Sequence, residues 1–202
     1  MKTSAGVLAM AFALASVCLA CQQPQQPALD DYGQAPDFAL TDQTGSTFSS
    51  QGLAGHVTLM DFIYTHCTDA CPIMSATFQE TQRKLAEDDL LGSKVMLISV
   101  SVDPTHDSQP VMAEYAQQFT ADPNGWKLLT GDFDSVWDTI TGFKIATRPP
   151  RPAVDDPPPT GTELSHSTAV LLIDPQRDVR AILDGEGASS DDLITAAKRL
   201  VK

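Results

Sequence analysis

Asp61 to Met74 reads DFIYTHCTDACPIM, an apolar run that ends in two cysteines with three residues between them and then a proline. His56 to Tyr64 (HVTLMDFIY) is mostly apolar and rich in β-formers, the pattern of a strand buried on both faces of a sheet. Pro72 has no N–H to lose at the first turn of a helix, so the sequence predicts a helix that opens there with Cys71 at or beside its N-cap. Both sulfurs then lie at a strand-to-helix turn. The N–H groups and the positive dipole end of a helix favour negative charge, which lowers a thiol pKa and populates the thiolate. Thiolate is the form that binds metal or attacks a disulfide.

The chain outside this stretch sets limits on the chemistry. Its 202 residues, 42% of them hydrophobic, suffice for one well-buried core, and its net charge of −13 is that of a solvated acidic surface. Nucleic-acid binding is excluded as a leading expectation, because phosphate contacts need clustered basic side chains. Met1 to Cys21 carries one lysine, an Ala-rich apolar run and a small residue before Cys21, the pattern of a secretory signal over residues 1–20. Ala20-Cys21 resembles a bacterial lipobox, which implies lipidation at Cys21. Cys18 stands where that pattern has leucine, and simple cleavage near Ala15 or Ala20 or an uncleaved anchor are the alternatives. With Cys18 in the signal and Cys21 at the processing site, Cys67 and Cys71 are the cysteines left for the folded part. A bridge between them would close too small a loop to restrict the unfolded chain much, so chemistry explains the pair better than stapling.

Residues 21–35 are Gln- and Pro-rich without periodicity and read as a flexible tether, followed by a domain over residues 36–202. That domain opens with a hairpin, in which Phe38, Leu40 and Phe48 flank the turn Gln43-Thr44-Gly45. Pro72 to Leu91 has helical spacing, Lys94 to Val102 (KVMLISVSV) is a second buried strand, and Asp103 to Asp107 makes a loop. A helix over Pro110 to Phe119, a strand over Trp126 to Thr130 and a helix over Phe133 to Phe143 follow. Strands over Thr168 to Asp174 and Val179 to Leu183 precede a last helix, Ser189 to Leu200, with Ser190 as its expected cap. This alternation predicts an α/β domain with a central sheet. The segment TRPPRPAVDDPPPTGTE, before Leu164, is too rich in proline for a central strand or a helix interior and reads as a surface loop leading to His166.

YTHCTDACP is similar to the metal-binding motif of the Sco/SenC family, and SVDPTHDS, FTADPNGWKLLTGD and LSHSTAVLLIDP resemble three further family blocks in the same order. The resemblance implies a thioredoxin-like fold with a central mixed sheet flanked by helices. It also implies that Cys67, Cys71 and His166 hold one copper ion. Two positions depart from the pattern: Thr68 stands where a proline is usual, and Ser165 where an acidic residue is common. Neither change removes a ligand. Two soft thiolates suit Cu(I), and one added imidazole lets the site hold Cu(II) as well, whereas a structural zinc site would need a fourth protein ligand.

The remaining polar residues receive plainer readings. Strand alternation points His66 away from Cys67, to the surface or behind the ligands, and His56 and His106 are expected to be solvent-exposed. Asp69 is a candidate to orient the cysteine loop through nearby N–H groups, and Asp103 is a turn former. The resemblance implies a metallochaperone that supports assembly of the copper centre of a cytochrome c oxidase. It would hand copper to the oxidase's copper subunit or to another copper protein, from a lipid anchor on the periplasmic side of a bacterial envelope. The competing expectation is an enzyme, a thiol-disulfide oxidoreductase that uses Cys67 and Cys71 as its redox pair.

Overall fold

A computed structural model describes residues 29–145 and 168–201. The expected signal, Cys21, the proline-rich loop and His166 lie outside the described residues. The elements run β1 (Ala39–Asp42), β2 (Thr47–Ser49), a 3-10 turn (Ser50–Leu53), β3 (Val57–Ile63), α1 (Ala70–Glu87), β4 (Val95–Ser101), α2 (Gln109–Gln118), β5 (Trp126–Thr130), α3 (Phe133–Gly142), β6 (Ala169–Ile173), β7 (Val179–Asp184) and α4 (Ser190–Lys198). They form one seven-stranded mixed sheet in the order β2-β1-β5-β4-β3-β6-β7. β3, β4 and β5 are parallel neighbours, while β1, β6 and β7 join antiparallel to their neighbours.

The two strands that read as continuously apolar, β3 and β4, are adjacent near the middle of the sheet, and every residue of both is buried. The chain crosses from β3 through α1 to β4 and through α2 to β5, so right-handed crossovers place both helices on one face. Phe78 of α1 packs edge-on against Trp126 of β5, the Ser75 and Tyr115 hydroxyls bond at 2.9 Å between α1 and α2, and α4 packs beside α1. Phe62 points the other way, edge-on to Phe143 at the end of α3, which also meets Phe38 beside β1. Asp61 therefore faces the α1 side.

The expected elements are present, with three differences. α1 begins at Ala70, so Cys71 is its second helical residue and Pro72 its third; proline is tolerated there too, because that N–H also lacks an intrahelical acceptor. α4 is capped by Ser189 rather than Ser190, in a reciprocal box with Asp192, and Ser190 instead accepts from Lys84 Nζ at 2.9 Å. The end of the expected tether is also part of the fold. The Tyr32 N–H donates to the Val179 carbonyl, the Val179 N–H to that of Gly33, and Ala35 is buried, so this stretch covers the outer edge of β7.

The cap assignment predicts that Ser189→Ala lowers unfolding free energy by about 1 kcal/mol in urea denaturation. Ser190→Ala, which removes a part-buried lysine contact but leaves the cap intact, should cost less.

Candidate metal centre

Ile63 ends β3, and its carbonyl accepts from the Val102 N–H at 2.8 Å, which fixes the strand's last residue against β4. The chain then turns through Tyr64, Thr65 and His66, and the Cys67 N–H returns to the Tyr64 carbonyl at 3.2 Å. Asp107 anchors the turn. Its carboxylate takes the Thr65 hydroxyl at 2.6 Å and the Thr65 N–H at 3.3 Å, as well as the Ser101 hydroxyl at 2.6 Å. Burial pushes the Asp107 pKa up, and these donors offset only part of the effect. The loop expected to be a simple turn thus holds the cysteine segment to the end of β4.

Cys67 and Cys71 are both reduced and buried, with their side chains in hydrogen-bond contact. Their electrostatic settings are opposite. Burial alone would raise the Cys67 pKa, but the N–H groups of Asp69 and Cys71, the Cys71 thiol and the Tyr64 hydroxyl all donate to its sulfur and bring the pKa below the ordinary thiol value. Cys71 is pushed well up, first by burial, then by the negative charge of Cys67 and of Asp61, against a single N–H from Tyr64. The lowering expected of thiols at a helix start holds for Cys67 and not for Cys71. The first-turn N–H groups serve the cysteine ahead of the helix, because Cys67 lies over the helix end while Cys71 lies within it.

Two residues of this arrangement escaped sequence reading. Tyr64 lends its hydroxyl to Cys67, and burial together with the nearby thiolate charge raises its own pKa. Asp61 is wholly buried in the middle of β3, opposite Ser99 of β4. Neither Asp61 oxygen has a well-formed hydrogen bond; Ser99 and the residue's own N–H are near enough to help only in part, and burial raises its pKa from 3.8 to about 7. A lone carboxyl in HVTLMDFIY was the available signal, since a strand buried on both faces has no solvent for it.

Of the other candidates, Asp69 occupies the N-cap position of α1, but its side chain makes no capping bond; its backbone N–H is what reaches Cys67. His66 packs edge-on to Tyr64 at 4.9 Å between ring centres, beside His106 at 5.2 Å. His106 is not the freely exposed residue expected, for its Nδ1 lies buried 2.9 Å from Asp103 Oδ2. His56 likewise has a buried ring nitrogen. Cys67 and Cys71 come together as expected; His166 belongs to the undescribed segment.

A parallel core with antiparallel flanks, and a CxxxC pair at the first parallel strand-to-helix junction, define a thioredoxin-like protein with a polarised thiol pair. Residues 26–202 match the SCO1/SenC family, and the chain belongs to it. It is 29% identical over 164 residues to the SCO1 protein homolog of Bacillus subtilis, covering 80% of this chain and 79% of that one. With mitochondrial Sco2 of Saccharomyces cerevisiae it shares 29% over 155 residues, 77% of this chain but only 48% of the yeast protein. Among solved structures it resembles a SCO1/SenC family lipoprotein of Bacillus anthracis (TM-score 0.68, 29% identity, 83% of this chain and 94% of that one). It resembles equally Bradyrhizobium japonicum ScoI with copper bound (TM-score 0.68, 27% identity, 84% and 100%).

The isolation of Asp61 gives a signed pH dependence. Its carboxyl prefers the neutral form in the folded protein, so stability falls as pH rises from about 4, where the unfolded chain starts to ionise, and levels off above about 7. The loss is at most about 1.4 kcal/mol per pH unit within that window. Asp61→Asn should remove this part of the dependence in urea melts between pH 4 and pH 8. Identical pH profiles for the two proteins would contradict the assignment.

Proposed function

We propose that the protein is a copper metallochaperone in which Cys67, Cys71 and His166 hold one copper ion as cargo for a cytochrome c oxidase copper subunit or another copper protein. The observation that carries the proposal is the paired, buried thiols at the helix start, with the Cys67 pKa lowered by donors to its sulfur, a soft donor set matched to Cu(I). Copper-bound ScoI of Bradyrhizobium japonicum supports the same cargo. His166, drawn from the family motif, would complete a site able to hold Cu(II). The lipobox-like Ala20-Cys21 supports an anchored protein on the periplasmic side of a bacterial envelope, with Cys21 lipidated. Among the described residues no helix is long and apolar enough to cross a membrane.

In this reading the chain's own groups do the following work. The N–H groups of Asp69 and Cys71, with the Cys71 thiol and the Tyr64 hydroxyl, favour the thiolate of Cys67 without a basic side chain. Burial makes Cys71 hold its proton more tightly than an ordinary thiol, so cargo binding at that sulfur is linked to proton release. A second reading, thiol-disulfide exchange with a partner's cysteines, draws on the same asymmetry: an attacking thiol with a lowered pKa beside one with a raised pKa. A disulfide switch is identified in BsSco, a structurally similar member of the Sco family of cytochrome c oxidase assembly proteins, and that relative supports the exchange reading for this chain.

The two readings part at His166. Reduced protein should take up one equivalent of copper and disulfide-bonded protein none at this site. His166→Ala should weaken Cu(II) binding strongly and Cu(I) binding less, whereas His66→Ala should leave the sulfur-to-copper charge-transfer bands in place. In cells, an oxidase-assembly defect of His166→Ala that added copper partly relieves supports the chaperone. Wild-type oxidase activity of that variant at limiting copper, with loss in either Cys→Ser variant, would overturn it in favour of the reductase.

A further inference from the structure

Beside the thiol pair, but separate from it, a carboxylate and two imidazoles converge. Asp103, at the end of β4, is 3% exposed. Its Oδ1 takes the Thr105 hydroxyl at 2.6 Å, while its Oδ2 has no hydrogen-bond partner. That oxygen faces His106 Nδ1 at 2.9 Å and His66 Nε2 at 3.8 Å. The adjoining carboxylate, Asp107, is taken up by Ser101 and Thr65 and offers nothing to either ring.

The 2.9 Å contact is short enough for a hydrogen bond, yet the pair makes none, because the oxygen lies off the direction in which the ring nitrogen would donate. Two ligands of one metal ion behave in this way. Each lone pair points at the ion rather than at the other ligand, and donors about 2.0–2.2 Å from an ion at a right angle stand about 2.9 Å apart. An N–H···O pair would instead align, gaining the energy of a charge-assisted bond. A buried carboxylate oxygen without a donor is costly, so a cation that fills this position repays an existing penalty.

We propose that Asp103, His106 and His66 form a second metal site for a divalent transition ion of the Cu(II) class, independent of Cys67 and Cys71. Two imidazoles and a carboxylate prefer borderline divalent ions, the complement of the thiolate pair's preference for Cu(I). Among the described residues no three such donors are already closed around a common point. Closure requires His66 Nε2 to approach Asp103 Oδ2 by less than about 1 Å, reaching the spacing of ligands on one ion. The His66 side chain, 35% exposed, has solvent on one side into which to adjust. Both rings are partly open to solvent, which gives the ion a path in and leaves room for water ligands.

The test uses the full-length protein with Cys67→Ser, Cys71→Ser and His166→Ala combined, titrated with Cu(II) and followed by electron paramagnetic resonance. One equivalent with nitrogen and oxygen ligation and no sulfur charge-transfer band is expected. Adding His106→Ala, His66→Ala or Asp103→Asn should each raise its dissociation constant at least about tenfold, and His56→Ala should not. Should the combined variant fail to fold, wild-type protein oxidised to the Cys67–Cys71 disulfide carries the same titration, with and without His106→Ala. No bound equivalent, or binding that His106→Ala and His66→Ala leave unchanged, overturns the site.

Discussion

Two backbone N–H groups, those of Asp69 and Cys71, aimed at one buried sulfur are the constraint on which the site depends. They point there only because α1 starts at Ala70, so that its first turn overlies Cys67. The helix starts there because β3 delivers the chain to the end of the sheet and Asp107 pins Thr65 to Ser101, leaving a short loop to make the turn. Thiolate stabilisation is therefore a product of backbone placement and not of any basic side chain. Lys84, Arg83 and Lys198 hold carboxylates on helix surfaces, and Lys127 of β5 holds Asp42 of β1.

The same construction explains why two neighbouring thiols differ. Cys67 lies ahead of the helix and receives donors; Cys71 lies within it, over the buried Asp61, and receives negative potential. A symmetric pair would lose both protons or neither. In this pair one thiol is lowered and the other raised, an asymmetry that suits capture of a soft cation and also the start of disulfide exchange. That shared requirement accounts for the closeness of the two functional readings.

Most of the architecture was legible in the sequence. The runs HVTLMDFIY and KVMLISVSV are strands buried on both faces, and the helical spacing between them forces a parallel crossover. Turn chemistry placed the hairpin at Gln43 to Gly45, although Gln43 does more than turn: its amide bonds to the Trp126 carbonyl and the Leu128 N–H, fastening the hairpin to β5. Helix ends were less legible, because Ser189 and Ser190 are chemically alike and only geometry chooses the cap. The site was legible as far as its cysteines. The roles of Tyr64, Asp107 and the Asp103–His106 contact depend on which side chains the sheet brings together from β3 and the loop after β4. Residue spacing along the chain does not encode that convergence, since Thr65 and Asp107 are 42 positions apart.

The departure from the family pattern at Thr68 falls where the backbone already does the work. Thr68 replaces a rigidifying proline within the cysteine loop, yet the loop remains tied at Thr65 and at the first turn of α1. Whether the thiol pair and His166 hold a single copper ion is read out by X-ray absorption at the copper edge of the reduced protein loaded with one equivalent. Two sulfur scatterers and one imidazole are expected in the wild type, with the imidazole lost and both sulfurs kept in His166→Ala. A copper environment without sulfur, or an unchanged imidazole in that variant, would contradict this ligand set.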